Sequence, residues 1–340
     1  MLRLTKNVNG LNQQRTVKSM KNYSRLFLLH LIALFGVSIP SLAIDTNSSL
    51  KLQKGNFKIL LSKNEMEPVK LAAKTLCKDF EKVMHYKPEI FQNTDDTQQI
   101  DIVIINEAVD NPLFQSRFIR PLDGFESHRV YCSPEEKRIY LHGKDMRGAI
   151  YAIYTFSELF LGVPPLWYFC SWEPQYKKQV EIKSSFDYFK KSPQVRYRAW
   201  FPNDTDLFKP WRRLSKENDE LWLETMLRLK LNTVELEATV TYPDYKLNSQ
   251  AAELRKYGLV LTSHHHVACN NNLMNWAGYW RKVRGVEPPE LLLSNEKALI
   301  EFWQYSIETV CRNKQENLWQ IAFRGVNDQP FWAAFSDAPK

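Results

Sequence analysis

At 340 residues, with 44% hydrophobic and 13% aromatic content, the chain is long enough for two domains with well-filled cores. Its net charge of +8 is unevenly placed: residues 1–43 hold six of the 46 Lys and Arg and no acid, so 40 basic residues face 38 acidic ones in the remainder. That near balance argues against a polyanion-binding surface, and hence against nucleic acid as a partner.

The first 43 residues have the pattern of an export signal. Lys18, Lys21 and Arg25 precede the apolar run Leu26 to Ile39, and Ser41-Leu42-Ala43 supplies a small-x-small cleavage site before Ile44. The run is short for a membrane span and no stop-transfer segment follows, so the expectation is an exported chain, periplasmic or extracellular, with no membrane attachment after cleavage. Cys77, Cys132, Cys170, Cys269 and Cys311 are scattered and include no C-x-x-C pair, which is neither a disulfide framework nor a structural zinc site. Most are expected to be buried and reduced.

A first domain is expected over residues 50–175. After a polar segment from Asp45 to Lys54, Phe57 to Leu61 predicts a strand, and Pro68 opens a helix with Val69, Ala72, Leu76, Phe80 and Val83 on one face. Asp101 to Asn106 predicts a buried strand, and Ser127 to Cys132 and Lys137 to His142 two more, joined through Pro134 and Glu135. Asp145 is a natural N-cap for a helix carrying Ile150, Ile153, Tyr154, Ser157 and Phe160, closed by Gly162. Strands interleaved with two helices make an α+β layer. The loop from Gly162 to Pro174 is rich in aromatics (Trp167, Tyr168, Phe169, Trp172) held among prolines, which suits sugar stacking and domain packing equally. Residues 176–194 read as the crossing to a second domain.

From Val195 the pattern becomes strand, polar end, helix, repeated. Val195 to Phe201 predicts a strand ending in Pro202-Asn203-Asp204; Asn218 would cap a helix with Leu221, Trp222, Thr225, Met226 and Leu229 inward. Asn232 to Ala238 predicts a second strand carrying Glu235 and Glu237 on one face. A short helix closes at Gly258, and Leu259 to Thr262 forms a third strand running into Ser263-His264-His265-His266. Ser294 would cap a helix with Leu299, Phe302, Ile307 and Val310 inward. The stretch Leu318 to Trp332 then opens as a buried strand, Trp319, Ile321 and Phe323 alternating with polar neighbours, before Arg324, Gly325, Asn327 and Asp328. The fold class is thus α/β: four βα units over residues 195–340, the first half of a (β/α)8 barrel that typically needs about 250 residues.

Asp204 and Asp328 end the first and fourth of these strands and so face one mouth. Two carboxylates there are the minimum for glycosidic cleavage, although an acid after a strand also serves as a turn former or helix cap. Arg324 has the planar fork that clamps a carboxylate; an ion pair with Asp328 or Glu237 is the alternative. The run His264-His265-His266 invites a metal, but on a strand alternation sends His264 and His266 one way and His265 the other. No metal is therefore expected, and hydrogen bonding to a sugar or to Glu237 is.

These residues resemble a known family. The run Gly143-Lys144-Asp145-Met146-Arg147-Gly148-Ala149-Ile150-Tyr151-Ala152-Ile153-Tyr154, with Ser157-Glu158 and the loop from Gly162 to Pro174, resembles the N-terminal domain of glycoside hydrolase family 115, the xylan α-glucuronidases. Val195-Arg196-Tyr197-Arg198 through Phe201-Pro202-Asn203-Asp204 resembles the family's first barrel strand, and Phe323 through Asp328 with Pro330-Phe331 a later one. The resemblance spans about residues 50 to 340. It implies a GH67-like N-terminal α+β domain, then a (β/α)8 barrel, and inverting removal of glucuronic or 4-O-methylglucuronic acid from glucuronoxylan or a related uronic-acid-bearing glycan, without a cofactor. Asp204 and Asp328 would be the active-site acids, with Asn203, Arg324, Asn327, Glu237, His264, His265, His266 and Trp167 meeting the substrate. Thr205 stands where the family commonly has an acid after Asn-Asp. The glutamate regarded as general acid is expected beyond Lys340, so the chain reads as an N-terminal fragment of such an enzyme; the alternative is an inactive, carbohydrate-binding remnant.

Overall fold

A strand covered on both faces loses the polar alternation of a surface strand, and Ile102, Val103, Ile104 and Ile105 are all fully buried in the interior of a six-stranded sheet. The computed structural model describes residues 48–92, 100–110, 119–200, 210–236, 239–321 and 324–338. The export signal read in residues 1–43, and Asn203, Asp204 and Glu237, lie outside these.

In chain order the first part holds β1 (Ser49–Gln53), β2 (Phe57–Leu60), α1 (Glu67–Met84), β3 (Ile90–Phe91), β4 (Ile100–Asn106), β5 (His128–Ser133), β6 (Arg138–Gly143), α2 (Met146–Phe156), β7 (Gln179–Lys183) and β8 (Asp187–Lys190). The sheet runs β3-β2-β4-β6-β5-β8, with β3, β2, β4 and β6 parallel and β5 antiparallel to both neighbours. The predicted stripe of α1, Val69 through Val83, is buried against it. Asp145 caps α2 as expected, its carboxylate accepting from the Gly148 amide at 2.9 Å. Gly143 is required here: a Cβ on it would lie 1.8 Å from the Ala149 nitrogen, so any side chain would push the helix off the strand.

The segment 176–194 differs from expectation. The stretch taken as a crossing supplies β7, which pairs antiparallel with β1, and β8, which closes the edge of the large sheet. Buried Val180 and Ile182 alternating with exposed Gln179, Glu181 and Lys183 carry the period of a half-buried strand, hidden in the sequence by the surrounding lysines.

The second part holds β9 (Ala199–Trp200), α3 (Lys216–Arg228), β10 (Thr233–Leu236), the short hairpin β11 (Val240–Thr241) and β12 (Lys246–Leu247), α4 (Ser249–Lys256), β13 (Val260–Ser263), α5 (Trp276–Tyr279), α6 (Glu296–Arg312) and β14 (Asn317–Leu318). Strands β9, β10, β13 and β14 form one parallel sheet in chain order, so their carboxyl ends share an edge. Ser215 rather than Asn218 caps α3, because the Asn218 amide donates to the Trp211 carbonyl at 2.7 Å; Asn295 rather than Ser294 caps α6. Ile307 lies off the buried stripe Ala298, Leu299, Phe302, Tyr305, Ser306, Thr309 and Val310, and Leu229 lies past the end of α3; both are exposed. Among the described residues the buried strand expected from Leu318 is not found: β14 pairs with β13, stops at Leu318, and leaves Ile321 79% exposed, while Phe323 lies outside the described residues.

One apolar cluster joins α1 and α2 to α3, α4, β10 and β13. Within it Arg228, fully buried, donates to Asp79 at 2.6 Å and to Glu224 at 2.7 Å, and Ser157 donates to the same Asp79 oxygen at 2.6 Å. Burial alone would lower the Arg228 pKa, but Asp79 and Glu224 outweigh it and leave it raised. Glu126 makes a second tie, accepting from Arg147, Asn232 and Arg198. All five cysteines are unpaired; Cys170 and Cys311 are exposed, against the expectation that most would be buried. Among the described residues no helix is long and apolar enough to cross a membrane.

Candidate active site

Because β13 and β14 are parallel neighbours, the segments leaving them start side by side at the carboxyl edge of the sheet, the usual place for ligand-binding loops in α/β folds. Strand β13 ends at Ser263, and His264, His265 and His266 occupy a turn, not a strand. The Val267 amide closes the turn on the His264 carbonyl at 2.9 Å, and the Ser263 hydroxyl donates to the Val267 carbonyl at 2.8 Å. Downstream, the Cys269 amide donates to the Gln320 carbonyl at 2.9 Å and the Asn270 side chain to Asn317 at 2.6 Å, which ties the turn to the segment around β14.

The second segment is a tight loop. Arg324 and Pro330 form an antiparallel bridge, and the Gly325 amide donates to the Gln329 carbonyl at 2.7 Å. A Cβ on Gly325 would come within 2.9 Å of the Pro330 carbonyl oxygen, so the loop closes only around glycine. Asn327 and Asp328 take left-handed backbone at φ 53° and 61°, a conformation that Asn and Asp tolerate better than other side chains.

The two segments meet at Asp328. His265 Nε2 donates to Asp328 Oδ1 at 2.8 Å, and Arg324 Nε donates to the same oxygen at 3.0 Å. The His265 hydrogen bond first, and then Arg324, hold the Asp328 carboxyl below the ordinary carboxylate range. At 60% exposure the carboxylate also stays open to water. Beside it, His264 Nδ1 and His266 Nδ1 lie 2.7 Å apart, and the His264 and His265 rings lie tilted at 46° with 3.9 Å between centroids. Such a group can hold an anionic ligand at Arg324, accept a proton at Asp328, and offer several imidazole nitrogens to polar groups.

The structure thus brings together Arg324, Asp328 and His265, with His264 and His266 adjoining and Asn327 exposed in the same loop. Trp167 is engaged elsewhere: its indole nitrogen donates to Glu224 of α3 at 3.3 Å, Lys82 of α1 sits 3.4 Å over its ring, and Trp172 packs on it edgewise. These contacts account for its packing and do not join it to the Asp328 group. Sequence reasoning passed over Ser263, Asn270 and Asn317, which hold the histidine turn. The run Asn270-Asn271-Asn272 a few residues after the histidines was the available signal, since Asn supplies both left-handed backbone and local hydrogen bonds.

Residues 190–338 match the sequence model of glycosyl hydrolase family 115. The fold is similar to that of BtGH115A, described as a family GH115 4-O-methyl-α-glucuronidase with specificity for decorated arabinogalactans, at TM-score 0.64 and 22% identity, covering 86% of this chain. The match spans 38% of that protein's chain. A chitobiase from Flavobacterium johnsoniae superposes at TM-score 0.48 with 12% identity, over 85% of this chain and 44% of its own. No curated protein sequence matches the chain.

Proposed function

Residues 190–338 belong to glycosyl hydrolase family 115, and on that premise we propose that the chain acts in the hydrolysis of α-linked glucuronic or 4-O-methylglucuronic acid from glucuronoxylan or a related uronic-acid-bearing glycan. The observation that carries the reading is the position of Asp328, fixed by His265 from one loop and Arg324 from its own, at the carboxyl edge of a parallel sheet. The four parallel strands in chain order support reading the second part as the first half of a (β/α)8 barrel, and the mixed sheet before them is read as the GH67-like domain. The chain is read as an exported N-terminal part of such an enzyme.

In this reading Arg324 receives the uronate carboxylate on its terminal nitrogens while its Nε stays on Asp328. Asp328, ionised and open to water, activates the attacking water on the face of the sugar opposite the glycan oxygen. Asp204 is assigned as the companion acid, and Asn203, Asn327, Glu237, His264 and His266 as substrate contacts. An inverting reaction needs its two carboxyl groups about 6.5–9.5 Å apart to admit that water. The products are the free uronic acid with inverted anomeric configuration and the shortened glycan; no cofactor enters the balance.

The test is hydrolysis of glucuronoxylan and of uronate-decorated arabinogalactan by the wild-type protein and Asp328→Asn, with the released sugar followed by NMR. Release of β-configured uronic acid by the wild type and its loss in the variant support the reading. Saturable glycan binding without turnover favours the alternative of a carbohydrate-binding chain, and initial release of the α-anomer removes the inverting mechanism.

A further inference from the structure

We propose that the turn His264-His265-His266 is a binding site for one divalent transition cation of the zinc class, held by an imidazole nitrogen from each residue, with Asp328 as the carboxylate that orients His265. The proposal goes beyond the hydrolytic reading and does not depend on it.

Strand alternation would keep three consecutive histidines from sharing an ion, but β13 ends at Ser263 and the three stand in a turn. One ring nitrogen from each lies within 4.8 Å of the other two. His264 Nδ1 and His266 Nδ1 are already 2.7 Å apart, a separation bridged by one shared hydrogen. A metal–nitrogen distance of about 2.0–2.1 Å with tetrahedral angles separates two ligand nitrogens by about 3.3 Å, a small opening of that pair. No net proton has to leave: the bridging hydrogen moves to the Nε2 of its own ring, and both Nδ1 lone pairs become available. In His265, Nε2 donates to Asp328 at 2.8 Å, which leaves Nδ1 as the donor atom. A ligand imidazole whose second nitrogen donates to a carboxylate is the recurrent second layer of zinc sites.

The backbone suits a ligand turn. The Val267–His264 hydrogen bond, the Ser263 hydroxyl and the Cys269–Gln320 contact hold it, so little conformational entropy is left to lose on binding. The imidazoles are half-buried, which leaves room for water as a fourth ligand. Imidazole donors without thiolates select zinc, cobalt, nickel or copper over magnesium or calcium.

The experiment titrates the full chain, dialysed against chelator, with cobalt(II) and follows the visible d–d absorption that a tetrahedral site gives, then competes with zinc in a calorimeter. One equivalent bound with a tetrahedral band, weakened at least tenfold in both His264→Gln and His266→Gln and about 10–100-fold in Asp328→Asn, is the expected result. Equal binding by wild type and a His264→Gln/His266→Gln double variant overturns the proposal, as does the lack of a saturable one-equivalent site in the wild type. Should the variants fold poorly, long-range proton–nitrogen NMR of the wild type decides: zinc must shift one nitrogen in each of three imidazoles, and unshifted resonances overturn the assignment. Glycan hydrolysis is not a readout, so failure here leaves the proposed reaction intact, and failure of the reaction leaves this site to its own test.

Discussion

His265 and Asp328, 63 residues apart in sequence, meet at 2.8 Å because β13 and β14 are adjacent and parallel, and their carboxyl-end loops have nowhere to go but toward each other. The contact turns a loop acid, exposed and otherwise free to rotate, into one held at a defined place with its charge favoured.

If Asp328 activates water, then Asp328→Asn keeps the shape and removes the base. The expected outcome is a fall in kcat of about 10²–10⁴-fold with little change in KM, since the charge acts in the transition state. Steady-state rates on glucuronoxylan check it; a kcat within a factor of two of wild type would exclude Asp328 as the base.

His265→Gln should act in the same direction but less, because it loosens Asp328 without removing it. A fall in kcat of roughly tenfold is expected, the scale of one misplaced or missing orienting contact. In the double variant with Asp328→Asn the His265 change should cost almost nothing further, since a positioning residue has nothing left to position. Independent, multiplying losses would show that His265 acts on the substrate directly.

The pair Arg228–Asp79 predicts stability, not rate. Both groups are buried, so removing one leaves an uncompensated charge, and Asp79→Asn or Arg228→Met should cost about 3–5 kcal/mol. Replacing both should cost much less than the sum. Urea unfolding monitored by circular dichroism measures this, and additive losses would mean that the two groups are not energetically coupled.

Acid should destabilise the fold through His128. Burial first, with Lys230 and Lys190 adding and the Glu126 carbonyl opposing, pushes its pKa down to about 4. The folded state therefore resists the proton that the unfolded chain accepts near pH 6.5. The contribution is complete above about pH 6.5 and is lost as pH falls toward 4; by pH 5 the loss approaches about 2 kcal/mol. His142, also lowered by burial but opposed by Glu107, has the same sign. Thermal melts at pH 7 and pH 5 should differ more for wild type than for His128→Gln, and equal differences would remove His128 from the account.

How much of this was legible follows the physics of each element. The α1 stripe and the Asp145 cap repeat or pair locally, so the sequence carries them outright. The short strands β1, β7 and β8 do not, because their apolar residues are few and their polar ones charged; only the pairing of β1 with β7 and of β8 with β5 identifies them. At the candidate site, the end of β13 was legible to within a residue, but the strand expected to carry Arg324 and Asp328 was not found: β14 stops at Leu318, and the two residues stand in a separate tight loop. The His turn was legible only in part: the strand was expected to end at Thr262 and ends at Ser263, but strand alternation was carried on into the three histidines, which stand in a turn. For Trp167 the sequence left both readings open, since an indole among prolines fits a ligand face and a packing face equally; the structure adds its packing neighbours Lys82 and Glu224.

Arg324 gives the sharpest test of the substrate assignment. Its Nε is on Asp328 at 3.0 Å, and the other half of the planar fork offers two parallel donors to a uronate carboxylate. Lysine keeps the charge but replaces the fork by a point donor, so it cannot hold Asp328 and a carboxylate together with the same geometry. Charge-assisted hydrogen bonds are worth about 1.5–3 kcal/mol, so Arg324→Lys should raise KM by roughly 10–100-fold, with a smaller change in kcat from the loosened Asp328. The methyl ester of the same uronic acid separates recognition from misfolding. Wild type should lose about as much affinity on the esterified glycan as the variant loses on the free acid, and the variant should distinguish the two substrates less than wild type does. That pattern is a coupling between one guanidinium and one carboxylate, which a structural role for Arg324 does not produce. If esterification and Arg324→Lys weaken binding by independent factors, the uronate is held by another group and Arg324 serves only Asp328.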